Sequence, residues 1–151
     1  MKRWTMSVVV GVDGTPDSYA AIRLGHEEAG LRGTELVAVM AYSVEGALGT
    51  PAARPLATPR SLTEDQALAA STLTSVVKAA LGATDGIELR VEVGPPGRVL
   101  VDTARARRAV MVVLSARKER TPSRLLSAVS QYVLRNAPCP VLVVPEASKG
   151  R

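Results

Sequence analysis

Short runs of uninterrupted apolar residues alternate along the chain with longer stretches in which apolar residues recur at helical spacing. Ser7 to Asp13 is a β-branched run ending in Gly14, and Thr15-Pro16 then places an N-cap before a proline at the first helical position. Ser18, Ile22, Gly25 and Ala29 give the following helix a face of mostly small residues that can lie close to a sheet, and Gly33 stops it. Glu35 to Tyr42 is apolar without alternation, the pattern of a strand covered on both faces. Ser61 and Glu64 form a capping-box pair ahead of Ala70, Leu73, Val77 and Ala80, with Gly82 as the stop. Ile87, Leu89, Val91 and Val93 alternate with Glu88, Arg90 and Glu92, which predicts an edge strand with one wet face. Gly94-Pro95-Pro96-Gly97 turns the chain into a third helix bearing Val99, Leu100 and Ala104, whose basic end at Arg105 to Arg108 suits the negative pole of a helix. Ala109 to Leu114 is the next buried strand. Thr121-Pro122 opens a last helix with Leu126, Val129 and Val133 on one face; Pro138 and Pro140 end it, and Val141 to Val144 forms a fifth strand.

Four strand–helix alternations and a closing strand predict an α/β fold, a five-stranded parallel doubly wound sheet with helices on both faces. The 151 residues suit one domain spanning 1–151. Residues 43–60, with Pro51, Pro55 and Pro59, read as a long flexible surface loop, and 146–151 as a tail. Apolar residues make up 46% of the chain, yet there is no Phe and one Trp, so the core must come from Ala, Val and Leu. So few rings exclude a platform for stacking single-stranded bases. The formal charge of +5 is spread over small groups at Lys2-Arg3, Arg105 to Arg108 and Arg117 to Arg124, without a recognition motif. No nucleic-acid partner is expected. Cys139 is the single cysteine, which leaves neither a disulfide framework nor metal-ligand spacing and points to the reduced cytoplasm. Lys2 to Met6 lacks the pattern of a signal peptide, and no stretch has membrane-spanning length, so no membrane partner is expected.

In such a sheet, ligands sit at the carboxyl ends of the strands where the winding reverses. The segments VVVGVDGTPDS, Val8 to Ser18, and VSQYVLRNAPCPVLVVP, Val129 to Pro145, resemble the two ends of a universal stress protein of the UspA family, and the resemblance covers nearly the whole chain. It implies a strand order of 3-2-1-4-5, with the reversal between the first and fourth strands. Asp13-Gly14-Thr15 and the stretch from Leu114 to Arg124 would then meet, each before a helix N-terminus that favours anions. In ATP-binding members an aspartate ending the first strand meets the adenosine and a residue ending the second strand lines it; Asp13 and Ala41 match those places. The phosphates are held there by a motif of Gly, two residues, Gly, nine residues, then Gly followed by Ser, Thr or Asn. Leu114, Arg117, Ser127 and Ala128 occupy its four places here. The resemblance thus implies nucleotide-site positions at Asp13, Gly14, Thr15, Ala41, Ser115, Arg117, Ser127, Ala128 and Val129.

Without the three glycines the backbone loses access to positive φ, and a Cβ stands between its amides and a phosphate. The expectation is a degenerate nucleotide site without tight ATP binding and without a cofactor. The alternative is an adenine nucleotide, ATP or AMP, held by Asp13 and the side-chain charges of Arg117, Lys118, Arg120 and Arg124. Asp13 can equally cap its own turn. His26 lies eleven residues beyond Thr15, roughly 16 Å along a helix, too far to act as a base at the loops. No catalytic constellation and no metal site are expected. The resemblance implies a non-enzymatic stress-response or binding module with an unidentified protein partner. It also implies a homodimer through Val141, Leu142, Val143 and Val144, an apolar edge whose unpaired amides invite a twin strand.

Overall fold

The computed structural model describes residues 6–42, 62–116 and 127–145. The elements in order are β1 (Ser7–Gly11), α1 (Ser18–Arg32), β2 (Glu35–Tyr42), α2 (Leu62–Leu81), β3 (Ile87–Val93), α3 (Pro96–Ala106), β4 (Ala109–Ser115), α4 (Ala128–Asn136) and β5 (Val141–Val144). The strands form one sheet in the order β3-β2-β1-β4-β5, and every neighbouring pair is parallel. The doubly wound sheet expected from the alternation is therefore present, with β1 at its centre and β3 and β5 at its edges.

Alternate residues of the central strands point to opposite faces, so two cores form. Val8, Val10, Leu36, Ala38 and Val113 pack with Ala21, Ile22, Leu73 and Val77 of α1 and α2. On the other face Val9, Val37, Val39 and Val112 pack with Val99, Leu100, Ala104 and Val133 of α3 and α4. Small residues bring the helices close. A Cβ at Gly25 would meet Leu36 Cδ1 at 3.4 Å, and one at Gly97 would meet Tyr132 Cδ1 at 2.8 Å, so the ring of Tyr132 seats α4 against the start of α3.

The edge strand β3 follows its alternation as far as Val91: Ile87, Leu89 and Val91 face the first core, Val93, expected with them, is 53% exposed, and Arg90 pairs with Glu88 and Glu92 on the other face. At the amino ends of the strands, Arg107 bonds Glu35 Oε2 at 3.3 Å and also Glu88, and its carbonyl accepts the buried Ser7 hydroxyl at 2.8 Å. This basic end thus ties three strands together as well as complementing a helix pole.

Three expectations are corrected. β1 ends at Gly11 rather than Asp13, although Val12 N still donates to Val39 O at 2.9 Å. Helix α1 starts at Ser18 rather than Pro16, through a turn in which Ser18 N and Tyr19 N bond the carbonyls of Thr15 and Pro16. Ala69, not Ala70, extends the buried face of α2, being four residues before Leu73. Helix α4 is described from Ala128 behind Ser127 as N-cap. The expected loop 43–60, Ser61, Thr121-Pro122, Leu126, Arg117 with its basic neighbours to Arg124, and the tail 146–151 lie outside the described residues.

Ile22 has no exposed surface, whereas Leu31 on the same helix is 75% exposed. Ile22→Ala is expected to cost about 2–5 kcal/mol in urea unfolding, and Leu31→Ala to change stability by less than about 0.5 kcal/mol.

Candidate functional site

The winding reverses between β1 and β4, and a crevice of ≈ 270 Å³ opens there at the carboxyl ends of the strands. β1 and the residues after it contribute Gly11, Val12 and Asp13; β2 contributes Val39 and Ala41. The far wall is Leu114 and Ser115 of β4 with Ser127, Val129 and Ser130 at the start of α4, and Pro96 and Leu100 of α3 complete the lining. Slightly more than half of this surface is hydrocarbon. The polar side chains of the described lining are Asp13 and three serines, and no lysine or arginine is among them.

Asp13 is exposed but anchored. Its Oδ1 accepts from Thr15 N at 2.9 Å, from Thr15 Oγ1 at 2.7 Å and from Ser18 Oγ at 2.7 Å, while Asp13 N donates to Ser18 Oγ at 3.1 Å. The carboxylate thereby folds the turn onto itself, and Thr15 donates its hydroxyl to Asp13. That competition is why α1 starts late: the side chain of Asp13 offers the backbone a local alternative to the first helical turn. Gly14 sits at φ +85, open to glycine and strained for other residues, and a Cβ there would approach Thr72 and Met40 at 3.3 and 3.4 Å.

At the opposite wall, Ser127 Oγ accepts from Ser130 N at 3.2 Å and donates to Ser130 Oγ at 3.1 Å. Ser127 therefore caps α4 in the ordinary way. Of the residues expected at the site, Asp13, Ala41, Ser115, Ser127 and Val129 meet in the crevice. Gly14 and Thr15 form the turn behind Asp13, Ala128 is not among the lining residues, and Arg117 lies outside the described residues. Sequence reasoning missed Gly11, Val12, Val39, Pro96, Leu100 and Ser130 as lining residues. Ser130 had a legible signal, since it follows Ser127 by three positions at a helix start.

Cys139 is half-buried and outside the crevice; burial pushes its thiol up, and a backbone hydrogen bond involving Val112 acts the other way. His26 is exposed on α1 and does not line the crevice either. Among the described residues no group of three or more His, Cys, Asp and Glu side chains could hold a metal ion. What the crevice offers is a hydrocarbon floor and hydroxyl walls, suited to enclosing a flat uncharged group with hydroxyl-bearing neighbours.

The family model described as the universal stress protein family matches residues 5–145. The universal stress protein Rv2623 of Mycobacterium tuberculosis (strain ATCC 25618 / H37Rv) is 30% identical over 142 residues, which are 93% of this chain and 48% of the relative. The chain thus spans about half the length of the curated relatives it matches. A solved universal stress protein in complex with cAMP is 29% identical, covers 95% of this chain and 98% of its own, and superimposes with a TM-score of 0.64. UspA from Lactobacillus plantarum is 23% identical with 95% and 99% covered and a TM-score of 0.66, a likeness of fold.

Because three donors converge on one oxygen of Asp13, Asp13→Ala is expected to lose about 1 kcal/mol of stability in denaturant unfolding. Asp13→Asn, which keeps an acceptor there, is expected to retain most of it.

Proposed function

The chain belongs to the universal stress protein family, and from that premise we propose that it is a homodimeric, non-enzymatic stress-response module whose crevice takes an adenine nucleotide by its nucleoside end and does not hold ATP tightly. The observation that carries this reading is the crevice itself: ≈ 270 Å³ of space at the reversal of the sheet, walled by hydrocarbon and serine hydroxyls. Ligand pockets commonly run from about 300 to 1,000 Å³, and this one lies just below that range. The cAMP complex of a relative 29% identical over nearly the whole chain supports an adenine ligand.

The phosphate side supports weak retention. The motif glycines are replaced by Leu114, Arg117 and Ser127, and the Ser127 hydroxyl already serves Ser130. Each charge-assisted hydrogen bond to a phosphate contributes roughly 1.5–3 kcal/mol, so losing two or three removes most of the affinity for the tail. Universal stress proteins are generally not enzymes, and no base-and-nucleophile pair lines the crevice among the described residues. The lone Cys139 fits work in a reduced cytoplasm, and no helix among the described residues is long and apolar enough to cross a membrane.

Members of the family commonly form homodimers. The dimer is assigned to β5, whose Val141, Leu142, Val143 and Val144 are all half-buried with no charge or proline among them. Its function is to present a paired surface to a protein partner, with the crevice as its ligand-sensing part.

Calorimetry on the full chain is expected to give an ATP dissociation constant weaker than about 1 µM, or about −8 kcal/mol. An ATP molecule carried through purification at full occupancy contradicts the reading. Val143→Lys is expected to yield monomers or aggregates on light scattering, and a dimer of undiminished strength removes β5 as the interface.

A further inference from the structure

Leu114 stands where the family's glycine motif begins, and an isobutyl group there should crowd a nucleotide crevice. The structure takes it in another direction. On the face of the sheet toward α3 and α4, Val9 of β1 pairs with Val112 of β4, and one step on, Gly11 and Leu114 follow on the two strands. A methyl group on Gly11 would lie 2.9 Å from Leu114 Cδ2 and 3.0 and 3.2 Å from the two Cδ atoms of Leu100. The Leu114 side chain therefore rests over bare backbone, beside Leu100, in a notch that exists because residue 11 has no Cβ. Although both leucines line the crevice, they are only 4% and 5% exposed. The bulk gained at 114 is absorbed at 11.

We infer that Gly11 and Leu114 form a size-matched pair that keeps the crevice open to an adenine nucleoside or nucleotide, Gly11 being the residue that makes room for the leucine. The inference rests on the adenine-nucleotide reading proposed above. With Leu114 seated in the notch, the floor between β1 and β4 stays open and is made of hydrocarbon. A flat uncharged ring loses little on covering such a floor. Val39 and Ala41 extend the apolar surface on one side, and Ser115 and Ser130 place hydroxyl-bearing residues on the other.

The test is calorimetry of the full chain with adenosine, AMP and ATP, with folding of each variant checked by circular dichroism. The wild type is expected to bind at least one of the three at millimolar concentration. Gly11→Ala, which pushes Leu114 out of the notch and into the crevice, weakens all three by about tenfold or more, and Gly11→Ala combined with Leu114→Ala restores them to within about threefold. Should Gly11→Ala fail to fold, Leu114→Phe, too large for the notch, must produce the same loss. A folded Gly11→Ala or Leu114→Phe protein with unchanged affinities overturns the inference while leaving the adenine site standing, and reduces the pair to core packing. If the wild type binds none of the three at millimolar concentration, the adenine-nucleotide reading itself falls and the inference with it.

Discussion

A strand covered on both faces and paired along both edges can offer chemistry only at its ends. Val8, Val9 and Val10 of β1 have no exposed surface, and β1 is bonded to β2 on one side and β4 on the other. Everything β1 presents to a ligand is therefore gathered in the five residues from Gly11 to Thr15. There the demands of fold and site coincide. Gly11 must be bare for Leu100 and Leu114 to meet above it, Gly14 must take a positive φ, and Asp13 must hold the turn through its Oδ1 so that α1 can begin at Ser18.

The strands were legible because burial on two faces or one writes directly into the residue pattern. Glu35 to Tyr42 lacks alternation and is an inner strand; Ile87 to Val93 alternates and is an edge. Gly33 and Gly82 were legible as helix stops because each adopts the positive φ that such a stop demands. The start of α1 was not, because Thr15-Pro16 carries a strong local signal that the side chain of Asp13 overrides. The buried face of α2 was off by one at Ala69, where tertiary packing on Leu73 decides among neighbouring alanines. In the crevice, the resemblance led to Asp13, Ala41, Ser115, Ser127 and Val129. Leu100 and Gly11 stayed hidden because their meeting with Leu114 depends on a register between strands about a hundred residues apart and on how α3 crosses them. Leu114 read in isolation looks like an obstruction; read against Gly11 it is part of the wall.

The two edges of the sheet are finished in opposite ways, and the difference bears on assembly. On β3, Glu88, Arg90 and Glu92 pair with one another, and Arg107 reaches in from the end of α3. Charges of this kind blunt an edge against strand addition. β5 has four consecutive half-buried aliphatic residues and no such guard. In the proposed dimer, covering these side chains would add only part of the about 1.5–3 kcal/mol that burial of a fully exposed Val or Leu contributes, since they are already half-buried. The crevice and β5 are linked through β4, since Leu114 and Ser115 line the one and pair with Val143 and Val144 of the other.

The seating of the Leu114 side chain in the notch at Gly11 is what leaves the floor of the crevice open. Methyl-resolved NMR of the full chain, free and with AMP, reads both at once. A nuclear Overhauser contact between a Leu114 methyl and the Gly11 α-protons is expected in the free protein, together with chemical-shift changes at Val39, Ala41 and Leu114 methyls when AMP is added. A Leu114 methyl without contact to Gly11, or AMP at millimolar concentration that moves none of these methyls, would contradict this arrangement.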